Sequence, residues 1–221
     1  MTEPTRSRGP AASGAERHYH GPMSRRWLLP LYDPFSLLFG ARTAHASLVE
    51  AAELRPGHRV LEIGCGTGNL ALLAKARQPA ATVVGLDPDA AALARASRKA
   101  RRRGLELQLD RGFADQLPHP DASFDRVLSA LMLHHLPGDE KPTALREVVR
   151  VLRPGGELHL VDIAQQDGGH GRSLGHRGPP DRNQPDGSVA DLVGAAGFTD
   201  VRMGTVRTGL GLSLITARAV R

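Results

Sequence analysis

At 221 residues, with 40% hydrophobic and 24% charged side chains, the chain is large enough to bury a real core in one ordinary domain, which excludes a disordered or fibrous protein. It has no run of about 18 apolar residues, which argues against a membrane-spanning helix. A single cysteine, Cys65, excludes an internal disulfide and fits a reducing, cytoplasmic setting.

Residues 1–18 are polar, rich in Pro, Gly and Ala, and without periodicity, so a disordered tail is expected. Residues 19–57 are expected to form an N-terminal helical lid, with helical patches in "LYDPFSLLFG" and "ARTAHASLVEAAEL", stopped by Pro56 and Gly57. "SRRWLL" at 24–29 has the look of a twin-arginine export signal, but Pro30, Asp33 and Pro34 interrupt the apolar region such a signal needs.

From residue 58 strands and helices alternate. Strands are expected at 58–64, 82–87, 105–109, within 123–133, and at 157–162 after a turn at "RPGG". Helices lie between them, at "NLALLAKARQ", from Asp89 through "RASRKARRR", and from Asp139 to Leu152. The net charge of +6 is local, because residues 95–103 hold six basic groups and no acid, and without them 23 bases face 23 acids. Followed by Gly104, that run reads as the solvated end of a helix, where cations favour the dipole. Residues 165–187 contain six glycines and three prolines and read as a flexible loop. A short helix from Ser188 to Ala196, a stop at Gly197 and an antiparallel hairpin close the chain. The fold class is α/β: a Rossmann-like, doubly wound, mostly parallel seven-stranded sheet with an antiparallel C-terminal hairpin strand, residues 58–221 being its core.

The chemistry concentrates in "VLEIGCGTGNLA", residues 60–71. Its glycines, Gly64, Gly66 and Gly68, fit neither a P-loop nor G-x-G-x-x-G, because the third glycine stands at 68 and position 69 is Asn69. Glu62 beside the loop would repel a phosphate and welcome an ammonium or sulfonium. Backbone N–H groups at the following helix start suit a carboxylate. Asp87, 19 residues beyond Gly68 at the end of the second strand, is placed to accept hydrogen bonds from a ribose. An amino acid joined through a sulfonium to a nucleoside meets all these demands.

Together with "VVGLDPDAAALARA", "GFADQLPHPDASFDRVLSALMLHHL", "ALREVVRVLRPGGELHLVD" and the tail "LVGAAGFTDV", the loop resembles the class I S-adenosylmethionine-dependent methyltransferases. Within them it is similar to the ubiquinone- and menaquinone-biosynthesis-like group, which includes quinone-ring and natural-product methyltransferases. The resemblance implies that Glu62, Gly64, Cys65, Gly66 and Gly68 surround the methionine part of S-adenosylmethionine. It implies that Asp87 grips the ribose, Leu86 and Pro88 line the adenosine, and Ala114 offers a backbone contact to adenine. Ser129 and Ala130 stand where the family contacts the methionine amine, and Tyr32 where a tyrosine lies near the cofactor. Phe113 departs from the acidic residue common before that alanine. Adenine stacks on Phe113, Asp115 reaches it, or Phe113 only packs.

In-line methyl displacement needs alignment above all, and a base only where the accepting atom carries a proton. His135 and His134, after the fourth strand, are the catalytic candidates; the alternative is that they shape the loop. Without a neighbouring Cys or Asp in sequence they make a poor metal site, and no metal is expected. Five of the eight aromatics fall at positions 19–39 (Tyr19, Trp27, Tyr32, Phe35 and Phe39), which suits a lid over an apolar or aromatic small-molecule acceptor. A nucleic-acid methyltransferase fits less well, since no aromatic is interleaved with the basic run. A non-catalytic cofactor-binding sensor or partner protein is the other alternative.

Overall fold

The computed structural model describes residues 41–163, 189–207 and 213–221. The expected tail 1–18, residues 19–40 with Tyr32 and the other clustered aromatics, and the loop 165–187 lie outside the described residues. The elements are α1 (Ala41–Ala51), β1 (Arg59–Ile63), α2 (Asn69–Arg77), β2 (Thr82–Asp87), α3 (Ala90–Arg102), β3 (Gln108–Arg111), β4 (Phe124–Ala130), α4 (Glu140–Val151), β5 (Leu152–Ile163), α5 (Val189–Ala195), β6 (Thr199–Arg207) and β7 (Ser213–Val220). A 3-10 turn, Leu133–His135, follows β4. Among the described residues no helix is long and apolar enough to cross a membrane.

Local chemistry explains the boundaries. Asp89 caps α3, its side chain accepting from the Ala91 N–H at 2.8 Å, a bond whose loss typically costs about 1 kcal/mol. Gly104, at φ 62, ends that helix in the left-handed conformation glycine tolerates best. The Leu105 N–H turns back to the Ala100 carbonyl at 3.0 Å. That bond draws Leu105 into the helix-ending turn, so β3 begins at Gln108 rather than at the expected 105.

One seven-stranded sheet has the order β3-β2-β1-β4-β5-β7-β6. The first five strands are parallel, and β7 runs antiparallel to both β5 and β6. Strand residues alternate between two cores. Leu61, Ile63, Val127 and Leu160 join Leu145 and Val148 of α4 on one face, while Val60, Leu128 and Val161 join α1 and α2 on the other. Each such side chain fully withdrawn from water contributes about 1.5–3 kcal/mol. In β5 the expected turn at 153–156 is instead part of a continuous strand. Phe124 pairs with Leu152 and Arg126 with Glu157, so residues 153–156 bulge from the β4 ladder. Their backbone is satisfied by the chain's end: Gly155 N–H donates to the Arg221 carbonyl, and Arg221 N–H to that of Gly156.

The strand order reverses between β1 and β4. Carboxyl-end loops there diverge and leave a crevice, the place where open parallel sheets bind ligands.

Candidate functional site

The glycine loop leaves β1 at that crevice. Gly64, Gly66 and Gly68 have φ of 68, 51 and 77, all in the left-handed region. Each glycine answers to a different neighbour. A Cβ on Gly64 would run into Met132 of the turn after β4. One on Gly68 would stand 2.8 Å from the Ala96 Cβ of α3. Gly66 has nothing within 4 Å and borders open space. Cys65, 5% exposed, packs its sulfur where Gly85 of β2 lacks a side chain, since a Cβ there would be 2.9 Å from Sγ. Burial pushes its thiol pKa up, so it stays protonated and unreactive.

Asp87, 7% exposed at the end of β2, holds this loop. Its Oδ2 accepts from Gly66 N–H and its Oδ1 from Asp89 N–H, both at 2.8 Å. Burial raises its pKa, and the two backbone donors oppose that rise. A carboxylate has about four acceptor positions, so two remain for a ligand's hydroxyls.

Beside the loop is a depression lined by His45, Glu62, residues 64–67, Asn69, Leu70, Ala130 and Leu131. Glu62 is 4% exposed and accepts a backbone hydrogen bond from Ala71 in the first turn of α2. Its Oε2 is buried and has no hydrogen-bond partner among the described residues. Burial, the largest cause, pushes its pKa from 4.5 to about 8. Burial likewise lowers His45 to about 4, so that imidazole is neutral at pH 7.

The second half of the site follows β4. Leu131 takes a left-handed φ of 53, a strained conformation for a leucine, and its N–H donates to the Val161 carbonyl at 2.8 Å. That twist delivers the 3-10 turn carrying both histidines. Asp162, 2% exposed at the end of β5, receives His134 through backbone N–H (3.1 Å) and Nδ1 (2.5 Å), and also takes the Ile163 N–H at 2.7 Å. With Nδ1 donating to this carboxylate, His134 Nε2 is left as a proton acceptor. The His135 ring lies against it, centroids 3.9 Å apart. Burial and the neighbouring His134 hold His135 below its ordinary pKa.

The structure therefore brings Glu62, the three glycines, Cys65, Asp87 and Ala130 to one crevice. Pro88 begins the turn into α3 and its carbonyl receives Arg111 Nε at 3.1 Å. Phe113 is half-buried and bridges to Gln116, next to the buried Ala114. Ser129 pairs with Ile63, on the sheet face opposite Glu62, and its Oγ is fully buried, without a hydrogen-bond partner among the described residues. Two residues escaped sequence reasoning. His45 sits one position past Ala44 on the buried stripe of α1, and nothing in its local pattern marks it. Asp162 ends the "ELHLVD" strand, where an acid at a strand's carboxyl end was the available signal. Among the described residues no group of three or more His, Cys, Asp or Glu side chains is arranged to hold a metal ion.

Residues 60–156 match the family described as "Methyltransferase domain". The demethylmenaquinone methyltransferase of Thermus thermophilus is 42% identical over 140 residues, covering 62% of this chain and 62% of that protein. The chain spans about three fifths or less of the length of the first curated relatives it matches. Among solved structures, the [4+2]-cyclase SpnF superposes with a TM-score of 0.66 at 23% identity, over 81% of this chain and 80% of that one. An S-adenosylmethionine-dependent methyltransferase from Aquifex aeolicus gives 0.62 at 22% identity, over 88% and 97%. These structural likenesses concern the fold, which hosts more than one chemistry, so activity has to be argued from the site.

Proposed function

We propose that this protein transfers a methyl group from S-adenosylmethionine to an apolar or aromatic small molecule, a reading supported by the match of residues 60–156 to the family described as "Methyltransferase domain". The observation that carries the reading is the buried, unpartnered Oε2 of Glu62 in the depression beside the glycine loop. A buried carboxyl oxygen without a partner costs about 1–3 kcal/mol or more, so it calls for a ligand donor. The ligand's α-ammonium supplies one.

The residues present fit the group. Glu62 holds the ammonium, the loop N–H groups and the start of α2 face the carboxylate, and Asp87 takes the ribose hydroxyls. When bound, the cofactor supplies an electrophilic methyl on a sulfonium, open to in-line displacement. The chain's own part is alignment, exclusion of water and proton removal. Asp162 fixes the His134 tautomer, and Nε2 accepts the proton lost from the acceptor's carbon, oxygen or nitrogen, an effect typically worth about 10²–10⁴ in rate. His135, packed on that ring, positions it. This built pair argues for turnover rather than for a non-catalytic binder.

The acceptor class draws on the quinone-methylating relative and on the aromatic-rich sequence at 19–39, which we assign to a lid whose described end is α1. We read the exposed arginines of the basic run as a solvated helix end rather than a nucleic-acid surface, since no aromatic is interleaved with them. A cytoplasmic location agrees with the single unpaired, buried cysteine. The test is S-adenosylhomocysteine formation against reduced naphthoquinones, phenols and amines, after calorimetry with the cofactor. Absence of cofactor binding by the wild-type chain refutes the reading.

A further inference from the structure

One buried cation has no counterpart in the fold. Lys141 is 8% exposed, yet its side chain makes no hydrogen bond or ion pair among the described residues. Lysine is almost never buried to that extent unless it is paired. Its stem is covered, but its ammonium is not one of the sealed polar atoms, so the tip meets open space. Lys141 opens the buried stripe of α4 that continues through Ala144, Leu145 and Val148, and so lies on the face turned to the sheet.

Its position aims that tip. α4 begins just after the turn that carries His134 and His135, and the Glu140 and Lys141 N–H groups both reach back to the Pro137 carbonyl. Because β4 and β5 are parallel, this first turn stands at the carboxyl edge of the sheet, where the crevice opens. Helical side chains lean toward the helix N-terminus, so Lys141 leans past the end of α4 toward that edge. The helix itself does not account for it, since the dipole disfavours a cation in the first turn. Adjacent helix positions do not face each other, and Glu140 forms no ion pair with it. Resting on the reading above, we propose that Lys141 is a specificity-determining residue for the methyl acceptor and selects aromatic acceptors that carry a negatively charged oxygen, as a carboxylate or a phenolate. An ammonium and the donor's sulfonium at one crevice repel each other, whereas an anionic acceptor is attracted by both.

The test is titration calorimetry on the full chain saturated with S-adenosylhomocysteine, using matched aromatic probes. 2-Naphthoate against 2-naphthamide reads the carboxylate, and 2,4-dinitrophenol, ionised at neutral pH, against 2,4-dinitroanisole reads the phenolate. The wild type should bind at least one anion about tenfold or more tighter than its neutral counterpart. Lys141→Met, which keeps an apolar stem, should weaken that anion about ten- to hundredfold and change the neutral probe less than about threefold. Lys141→Arg, which keeps the charge, should recover part of the loss. The methionine variant should melt no lower than the wild type, because it removes an unpaired buried cation. Equal binding of anion and neutral probe by the wild type, binding of none of the four, or an anion preference that survives Lys141→Met overturns the proposal. A methionine variant that melts lower and weakens both members of a pair alike marks a structural lysine and overturns it too. A wild type that does not bind S-adenosylhomocysteine refutes instead the methyl-donor reading on which the proposal stands.

Discussion

Glu62→Gln should make the ligand-free protein more stable while disabling it. The glutamine keeps the size of the side chain and an oxygen for the Ala71 N–H, and removes the ionisable group. Burial holds the Glu62 carboxyl near 8 against an ordinary 4.5. Between those pH values the folded state retains a proton that the unfolded state releases. Stability therefore falls as pH rises from about 4.5 to 8, and levels off above. Each pH unit in that window corresponds to about 1.4 kcal/mol, giving an upper bound on the order of 4 kcal/mol at pH 8. Relaxation and water entry reduce it, and about 2–4 kcal/mol is the expected advantage of the variant at pH 8. For a domain of this size that raises the melting temperature by about 5–10 °C. Urea unfolding without ligand at pH 5, 6, 7 and 8 measures it: the two proteins should agree within about 1 kcal/mol at pH 5 and diverge steadily to pH 8. A gap that does not change with pH, or a variant less stable than wild type at pH 8, would falsify the assignment of Glu62 as a strained binding group.

The same proton predicts that S-adenosylhomocysteine affinity rises up to about tenfold per pH unit from 6 toward 8 and then flattens; calorimetry in buffers of different ionisation enthalpy should register proton release at pH 7. Asp87→Ala strips two backbone N–H groups of their acceptor and should lose cofactor binding together with about 2–4 kcal/mol of stability, read by calorimetry and denaturant titration. Asp162→Asn and His134→Ala should each lower kcat about 10²–10⁴-fold with cofactor affinity changed less than about threefold; equal activity in either variant rules out the dyad. Gly68→Ala meets both a left-handed φ and Ala96, so it should melt lower by about 5 °C or more and bind cofactor poorly.

The sheet was legible because its determinants are local and repeated. Aliphatic strands such as 60–63 and 82–87 alternate with helices bounded by Asp89, Gly104 and Gly197, and topology rules leave few ways to arrange them. The glycine loop was legible because left-handed backbone demands a particular residue type. What escaped depended on contacts far apart in sequence. Asp162 meets His134, 28 positions earlier, only in the folded chain. The 153–156 segment reads as a turn until Arg221 pairs with it. Sequence reasoning put His135 ahead of His134; that a carboxylate orients His134 instead becomes visible only once Asp162 of β5 lies beside the turn after β4.

Met132 fills the space that a side chain at Gly64 would need, and thereby clasps the turn after β1 to the turn after β4. The two halves of the crevice are thus a single mechanical piece, although their sequences lie far apart. Redesigning one half drags the other: trimming Met132 would loosen the glycine loop as well. Variation that leaves this joint alone keeps the glycine loop in place, and variation at it does not.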